Sequence, residues 1–478
     1  MVDHGNRMEN TASTLPDTPT ITAIATSPGP GGGIGIIRLS GPDALAILNK
    51  IFVPAKLPAT GQFSSHCLYY GWIFNPRSGQ KIDEVLAVYM RAPHTYTRDD
   101  VVEIHCHGNF LILQNILTLT QEAGARQADP GEFTKLAFLN GRIDLTQAEA
   151  VLEVITAKTS EGLLLAVEQL RGGLHTEIQA VCDLLVTVKA VIEVAIDFPD
   201  DDLDILQPDT IAKQLKHDII PVLENLLSSA DNGKIYRDGV SVVIVGRPNV
   251  GKSSLLNSLL REDRAIVTAT PGTTRDTIEE YLNINGMPVR VIDTAGIRNN
   301  TEMVEQIGIQ RARAKLAEAD LILMMVDSST PVTEEDLDLF GSINEKPLVI
   351  VANKSDLCDP TTPPNLAEHF PGQIIVQTSA VNGDGIRQLE ESIFSIVTSH
   401  FSGWDPGRTV APNMRHQASI SKALASCNDL LNGLAQNLTP DLLAIELQTA
   451  LDHLGAIVGY TTTEDVLDKI FGDFCIGK

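Results

Sequence analysis

Nine consecutive residues, Gly246 to Ser254 (GRPNVGKSS), place glycine, lysine and hydroxyl groups at the spacing G-x-x-x-x-G-K-[ST]. A turn of this kind aims backbone N–H groups inward, and the helix after it adds the partial positive charge of its N-terminus, so the pattern cradles phosphates. Gly251 permits the turn, Lys252 reaches the β- and γ-phosphates, and the Ser253 hydroxyl is placed to ligate Mg²⁺. Four further signals follow in order. In TATPGTTRD, Thr273 or Thr274 can close over the γ-phosphate and complete the Mg²⁺ shell. In Asp293-Thr294-Ala295-Gly296 the carboxylate acts through that shell and the Gly296 N–H senses the γ-phosphate. Asn353-Lys354-Ser355-Asp356 ends an apolar run; the Asp356 carboxylate accepts two N–H bonds that guanine presents and adenine does not. Ser379-Ala380 then suits a backbone contact to guanine O6.

Five such signals in sequence imply a guanine-nucleotide-binding domain. The expected contacts are Asn249, Val250, Gly251, Lys252, Ser253 and Ser254, then Thr268, Ala269, Thr270, Pro271, Gly272, Thr273 and Thr274. Asp293, Thr294, Ala295 and Gly296 follow, with Asn353, Lys354, Ser355 and Asp356, and finally Ser379, Ala380 and Val381. Mg²⁺ is assigned to Ser253 and Thr274. A glutamine after D-x-x-G orients the attacking water in Ras-type proteins. Here Ile297 holds that place and has no polar group, which makes Glu305, a few residues on, the candidate for the role.

The elements that must position these groups are legible around them. Val240 to Val245 is apolar and β-branched, as a buried parallel strand is, and Leu255 to Leu260 begins a helix. Asn285-Gly286 joins two strand-like runs as a type I′ hairpin. Helical periodicity occurs on both sides of this domain, from Thr146 to about Ala230 and from about Gln417 onward, so the domain is expected to be inserted into one helical domain. Thr146-x-x-Glu149 and Thr461-x-x-Glu464 have the form of capping boxes, and Val466, Leu467, Ile470 and Phe471 make a last apolar stripe. The segment DFPDDDLDI is expected to be a solvated turn.

Before Thr146, short strands broken by helices predict an α+β domain. Gly31, Gly32, Gly33 and Gly35 lack the G-x-G-x-x-G spacing and precede a strand, which favours a glycine-rich hairpin over a dinucleotide site. His105 and His107 share one strand face while Cys106 takes the other, and no third ligand has matching spacing, which disfavours a metal site. Taken singly, Arg38, Glu103 and Arg142 are surface groups or ion-pair partners.

The chain's 478 residues call for several domains. A net charge of −25 argues against broad wrapping of nucleic acid by a basic face. Cys67, Cys106, Cys182, Cys358, Cys427 and Cys475 are scattered without a C-x-x-C pair, and no apolar run reaches a membrane span, so a reducing cytoplasm is expected. The first twenty residues are expected to be a disordered tail.

GRPNVGKSS, PGTTRD, DTAGIR, NKSD and the final FCIGK, in this order, resemble the MnmE (TrmE) family of tRNA modification GTPases over about Ile21 to Lys478. The resemblance implies a multidomain fold of α+β and α/β type. A tail at 1–20 precedes an N-terminal α+β tetrahydrofolate-binding and dimerisation domain at 21–144. An α-helical domain follows at 145–238 and 401–478, with an inserted Ras-like P-loop GTPase domain at 239–400. It implies a homodimer working with the FAD-containing partner MnmG (GidA) to install an aminomethyl-type group on C5 of the wobble uridine of tRNA. A folate derivative, as 5-formyl- or 5,10-methylene-tetrahydrofolate, would meet Arg38, Glu103, Arg142 and Lys478. It further implies K⁺ held by Asn249, Thr268, Thr270 and Thr273, and catalytic roles for Glu305 and Cys475. Cys475 also has a plainer reading, as a small buried apolar residue. The alternative function is an Era- or Der-like ribosome-assembly GTPase without modification activity.

Overall fold

Strand alternation decides which side chains of the first unit can meet a ligand. The computed structural model describes residues 19–26, 32–56, 61–198, 207–262, 281–293, 318–343, 346–358, 365–399 and 410–478. They divide into two compact units, Met1–Ala148 with Thr462–Lys478, and Glu149–Thr461. The first unit holds a seven-stranded sheet of β1 (Ile21–Ile24), β2 (Ile34–Ser40), β3 (Phe52–Pro54), β4 (Cys67–Phe74), β5 (Lys81–Met90), β6 (Val101–His107) and β7 (Arg126–Gln127). Their order is β3-β4-β5-β6-β2-β1-β7, antiparallel except for β7 against β1. Ile37 and Leu39 of β2 and Val102, Ile104 and Cys106 of β6 are buried in one core with the helices Ala44–Ile51 and Phe110–Glu122. A period of two leaves Arg38, Glu103 and His105 on the opposite face, where the register sets Arg38 directly across from Glu103.

β1 and β2 pair antiparallel across the glycine-rich segment, as the hairpin expectation requires. Burial beside Asp83 pushes the Cys106 thiol up to about 11, and no group of three His, Cys, Asp or Glu side chains among the described residues is arranged to hold a metal. The C-terminal helix corrects one expectation. Residues 462–478 cluster by contact with the first unit, where the helix Glu464–Gly472 packs on the helix Glu132–Leu139. Leu467, Phe471 and Phe474 are buried there, and Lys135 Nζ lies 2.6 Å from Asp468. The N-cap of this helix is Thr463 rather than Thr461, and Val466 is exposed.

In the second unit, helices from both sides of the inserted domain share one core. Leu174, Ile178, Val181, Leu185, Val188 and Ile192, spaced three or four apart on the helix Gly173–Asp197, meet Leu443, Leu447, Ala450 and Leu454 of the helix Pro440–Val458. The helix Met414–Ala435 packs against that helix and against Ile220–Asp238. Before Ile220 the chain widens into a π-turn at Leu215–Ile219, which accommodates the missing N–H and bulky ring of Pro221. Arg237, at the end of that helix, pairs with Glu153 at 2.8 Å and donates to the Ala411 carbonyl, so the chain leaves and returns to the bundle at adjacent points.

The inserted domain is a six-stranded sheet of β8 (Val240–Gly246), β9 (Tyr281–Ile284), β10 (Met287–Asp293), β11 (Leu321–Asp327), β12 (Leu348–Asn353) and β13 (Ile374–Thr378). The order is β13-β12-β11-β8-β10-β9, all parallel except β9. Val240, Val242 and Ile244 face one core while Val243 and Val245 face the other, so β8 is buried on both sides. Asn285 and Gly286, at φ 49° and 85°, form the β9–β10 turn with both residues left-handed, as a type I′ turn needs.

Glu149 is not the capping residue that its spacing suggested. Asp144 caps the helix Leu145–Thr156, accepting from the Thr146 and Gln147 amides while Gln147 reaches back to the Asp144 N–H. Glu149 instead receives a bidentate pair from Arg415 at 2.8 and 2.9 Å, and Arg415 also donates to the Ala456 and Ile457 carbonyls. His416 Nδ1 accepts the Asn413 N–H, which fixes the ring proton on Nε2, 2.6 Å from Glu149. Burial alone would raise the Glu149 pKa; the His416 and Arg415 donors outweigh it and hold the carboxyl at about 2, while burial lowers His416 below its usual 6.5. In both cases the folded state binds fewer protons than the unfolded chain. Stability is therefore lost as pH falls, below about 6.5 for His416 and from 4.5 towards 2 for Glu149. Glu149→Gln removes the counter-charge of the half-buried Arg415 guanidinium and is expected to cost about 1.5–3 kcal/mol in urea unfolding at pH 7 and to flatten the acid limb; a loss below about 0.5 kcal/mol would contradict this account.

Candidate functional site

The carboxyl ends of the parallel strands β8, β10, β11, β12 and β13 all lie along one edge of the inserted sheet, where an open α/β sheet binds its ligand. The phosphate loop leaves β8 there. Gly246, Asn249 and Gly251 have φ of 146°, 66° and 102°, so three of its residues adopt a conformation that turns amides inward. Lys252 opens the helix Lys252–Glu262, and its ammonium donates to the Gly246 and Arg247 carbonyls at 2.7 Å. That arc draws the loop closed, and Ser253 and Ser254 occupy the next places of the helix.

Asn353, at the end of β12, is buried, and its amide joins three segments. Nδ2 donates to the Val250 carbonyl at 2.8 Å, while Oδ1 accepts the Ala380 N–H at 3.1 Å and the Thr378 hydroxyl at 3.3 Å. A Cβ at Gly251 would collide with Asn353 Nδ2, so glycine there serves this approach as well as the turn. Lys354 takes a left-handed φ of 65° and its Nζ lies 2.6 Å from Asp327, the last residue of β11. Although burial opposes it, hydrogen bonds from Lys354 and Ser329 hold the Asp327 carboxyl below its usual range. Ser379 Oγ donates to Asp356 Oδ1 at 2.6 Å, and Ser355 begins the short turn that carries Asp356. Val381 is exposed.

In the first unit the sheet face opposite the helices gathers the other expected residues. Arg38 contacts Glu103 through Nε at 2.9 Å and Nη2 at 2.8 Å, and His105 lies 3.4 Å from the same carboxylate. The guanidinium of Arg142 stands 4.8 Å over the Tyr96 ring, and that of Arg38 lies 6.0 Å from Tyr96 and 5.7 Å from Phe133. The chain end reaches this place: the Phe133 N–H donates to a main-chain oxygen of Lys478, Pro130 bridges Ile476, and Gly477, at φ 96°, lets the tail pass against the Ile24 carbonyl. Cys475 is exposed, which corrects the reading of it as a buried apolar residue. Two cations, a carboxylate and the partly exposed Tyr96 ring suit a flat ligand that carries acidic groups, while Phe133 is buried beneath Arg38. Tyr96 and Phe133 were not singled out from the sequence; the turn-rich stretch PHTYTRDD was the only signal for Tyr96.

Thr268, Ala269, Thr270, Pro271, Gly272, Thr273, Thr274, Thr294, Ala295, Gly296, Ile297 and Glu305 lie outside the described residues, as do residues 1–18 and 199–206. Asp293 ends β10 beside the phosphate loop strand, paired with Ile244.

A parallel sheet of this order, with a phosphate loop after its first strand and guanine-reading residues after its fifth and sixth, defines a P-loop guanine-nucleotide-binding protein. A family model described as the MnmE helical domain matches residues 145–475, and one described as the GTP-binding protein TrmE N-terminus matches residues 20–142. The chain belongs to the MnmE family. It is 50% identical over 466 residues to the tRNA modification GTPase MnmE of Desulfotalea psychrophila, covering 97% of this chain and 99% of that protein. The tRNA modification GTPases MnmE of Geotalea uraniireducens and Alkaliphilus oremlandii are 46% and 44% identical, each covering 96% of this chain and 99% of their own. The solved G domain of the T. maritima FeoB iron transporter is 31% identical, covering 33% of this chain and 97% of that one, with a TM-score of 0.25. No helix among the described residues is long and apolar enough to cross a membrane.

Asp356→Asn replaces an acceptor with a donor where guanine presents N–H groups. GTP binding is expected to weaken on the order of 10²-fold or more, and xanthosine triphosphate, with a carbonyl in place of the amino group, to recover it. Unchanged GTP affinity in a titration would remove Asp356 from the base site.

Proposed function

We propose that this chain is a GTPase of tRNA modification that uses GTP hydrolysis to drive an addition at C5 of the wobble uridine, U34. The addition is of a carboxymethylaminomethyl or aminomethyl group. The observation that carries the reading is the joining of the phosphate loop to both base-reading loops by the Asn353 amide, in a chain that belongs to the MnmE family. In this reading the inserted domain binds GTP with Mg²⁺, and Ser253 and Thr274 are the ligands from the chain. The phosphate loop lowers the barrier by fixed N–H dipoles and by the Lys252 ammonium, which stabilise charge on the transferring phosphoryl group. Glu305 orients the attacking water, because Ile297 offers nothing to hold it.

Asn249 would hold K⁺ together with Thr268, Thr270 and Thr273; its left-handed, exposed position within the phosphate loop supports this reading, and the cation would supply positive charge there. The first unit would bind a tetrahydrofolate derivative, which supplies the one-carbon unit, between Arg38, Glu103, Arg142 and Lys478. Arg38 and Arg142 would hold its acidic groups, and Tyr96 would give its ring a face to lie on. The chain would act as a homodimer with MnmG, which brings FAD, and the exposed Cys475 would take part in the modification rather than in packing.

GTP turnover is expected to rise at least about tenfold when K⁺ replaces Na⁺ at equal ionic strength; equal rates would remove the potassium site. Cys475→Ser is expected to leave GTP turnover near normal while wobble uridines stay unmodified in a strain that carries only this variant, as read by mass analysis of tRNA nucleosides. Full modification by the variant would return Cys475 to a structural role, and full modification in a strain lacking the protein would overturn the function itself.

A further inference from the structure

We propose that Arg247 and the buried carboxylate of Asp336 form a brace that holds the phosphate loop in its binding shape, with both acting as positioning residues for the nucleotide. The inference rests on the GTPase reading and extends it to residues outside the phosphate cradle. Arg247 is the first residue of the loop after Gly246. Its Nε donates to Asp336 Oδ1 at 2.7 Å, and Asp336 is 1% exposed. The second oxygen of Asp336 accepts the Thr333 N–H at 3.0 Å and the Thr333 hydroxyl at 2.9 Å, at the start of the helix Glu334–Ser342. Three donors therefore fix this carboxylate, and it in turn fixes the guanidinium. The Arg247 carbonyl is one of the two that accept the Lys252 ammonium, so the chain of contacts runs from Asp336 through Arg247 to the phosphate-binding lysine.

The loop needs such a brace. Three of its residues have positive φ, and its function depends on amides kept in one arrangement before the ligand arrives. Asn353 holds the far side of the loop through the Val250 carbonyl, and Arg247 with Asp336 holds the near side. A buried, bidentate-capable carboxylate on a guanidinium is a contact that lysine reproduces only in part. A cation this close to the cradle has a second conceivable role, direct contact with phosphate. The two roles predict opposite behaviour when Asp336 is neutralised, because Asp336→Asn releases Arg247 for a phosphate but removes the brace.

The test measures GDP affinity, KM and kcat for GTP, and thermal melting on the full chain and on Arg247→Met, Arg247→Lys, Asp336→Asn and the Arg247→Met/Asp336→Asn double variant. Arg247→Met is expected to raise the GDP Kd and the GTP KM together by about tenfold with kcat changed less than about threefold, the pattern of lost uniform binding. Asp336→Asn is expected to weaken binding in the same way, the double variant no more than the worse single one, and Arg247→Lys to recover part of the loss. Asp336→Asn also loses part of a helix cap, so Arg247→Met and Arg247→Lys decide the matter if that variant melts below the assay temperature. Native GDP affinity in Arg247→Met, tighter binding in Asp336→Asn, or additive losses in the double variant would each overturn the brace. Failure of the unmodified protein to bind GDP would overturn the GTPase reading, and the brace with it.

Discussion

A single buried amide, that of Asn353, holds together the surface on which the inserted domain depends. It spends its donor on the phosphate loop and its acceptor on the Ser379–Ala380 turn, so the groups for the phosphates and for the base are set relative to one another before a ligand arrives. The amide is buried, and an unmade bond at either end would cost about 1–3 kcal/mol, which is why the loops share one geometry rather than drifting independently. Gly251 is needed for the same reason, because only a residue without Cβ allows the loop to approach that amide. Ser379 extends the arrangement by donating its hydroxyl to Asp356 Oδ1.

Much of the inserted domain could be read from the sequence because its chemistry is done by backbone, and backbone demands particular residue types at fixed offsets. Gly251, Asn285 and Gly286 sit at positive φ as their patterns require, and the apolar run of β8 is buried on both faces. Asp336 could not be read in this way. It lies in TEEDLDLF, among carboxylates that look like the solvated first turn of a helix, and only the fold brings Arg247 to it from 89 positions away. Glu149 failed for a related reason. Its spacing from Thr146 imitates a cap, while its real partners, Arg415 and His416, are supplied by a helix on the other side of the inserted domain.

The first unit lies between these cases. Arg38 and Glu103 look like isolated charges, yet their positions in β2 and β6 make them cross-strand neighbours on the face opposite the helices Ala44–Ile51 and Phe110–Glu122. Period-two alternation predicted the face; the register, which depends on tertiary pairing, supplied the partner. The packing partner of residues 462–478 was not legible, because an amphipathic helix announces that it has a buried side without saying what covers it. Here the cover is the helix Glu132–Leu139, and the consequence is that the tail with Cys475 and Lys478 lies by Gly131 and Phe133, whose ring is 5.7 Å from the Arg38 guanidinium.

The return of Thr462–Lys478 to the first unit bears on how the protein is made. Synthesis proceeds from the N-terminus, and domains generally fold as units when their residues have emerged. The inserted domain can do so, since its strands are contiguous between Val240 and Thr378. The helical bundle must wait for helices that follow that domain, and the first unit must wait for the helix Glu464–Gly472, which comes after them. Pairings across such long separations are slow to find and leave apolar surface exposed in the meantime. A nascent chain can thus fold its nucleotide-binding sheet before the helix Glu464–Gly472 is there to complete the first unit.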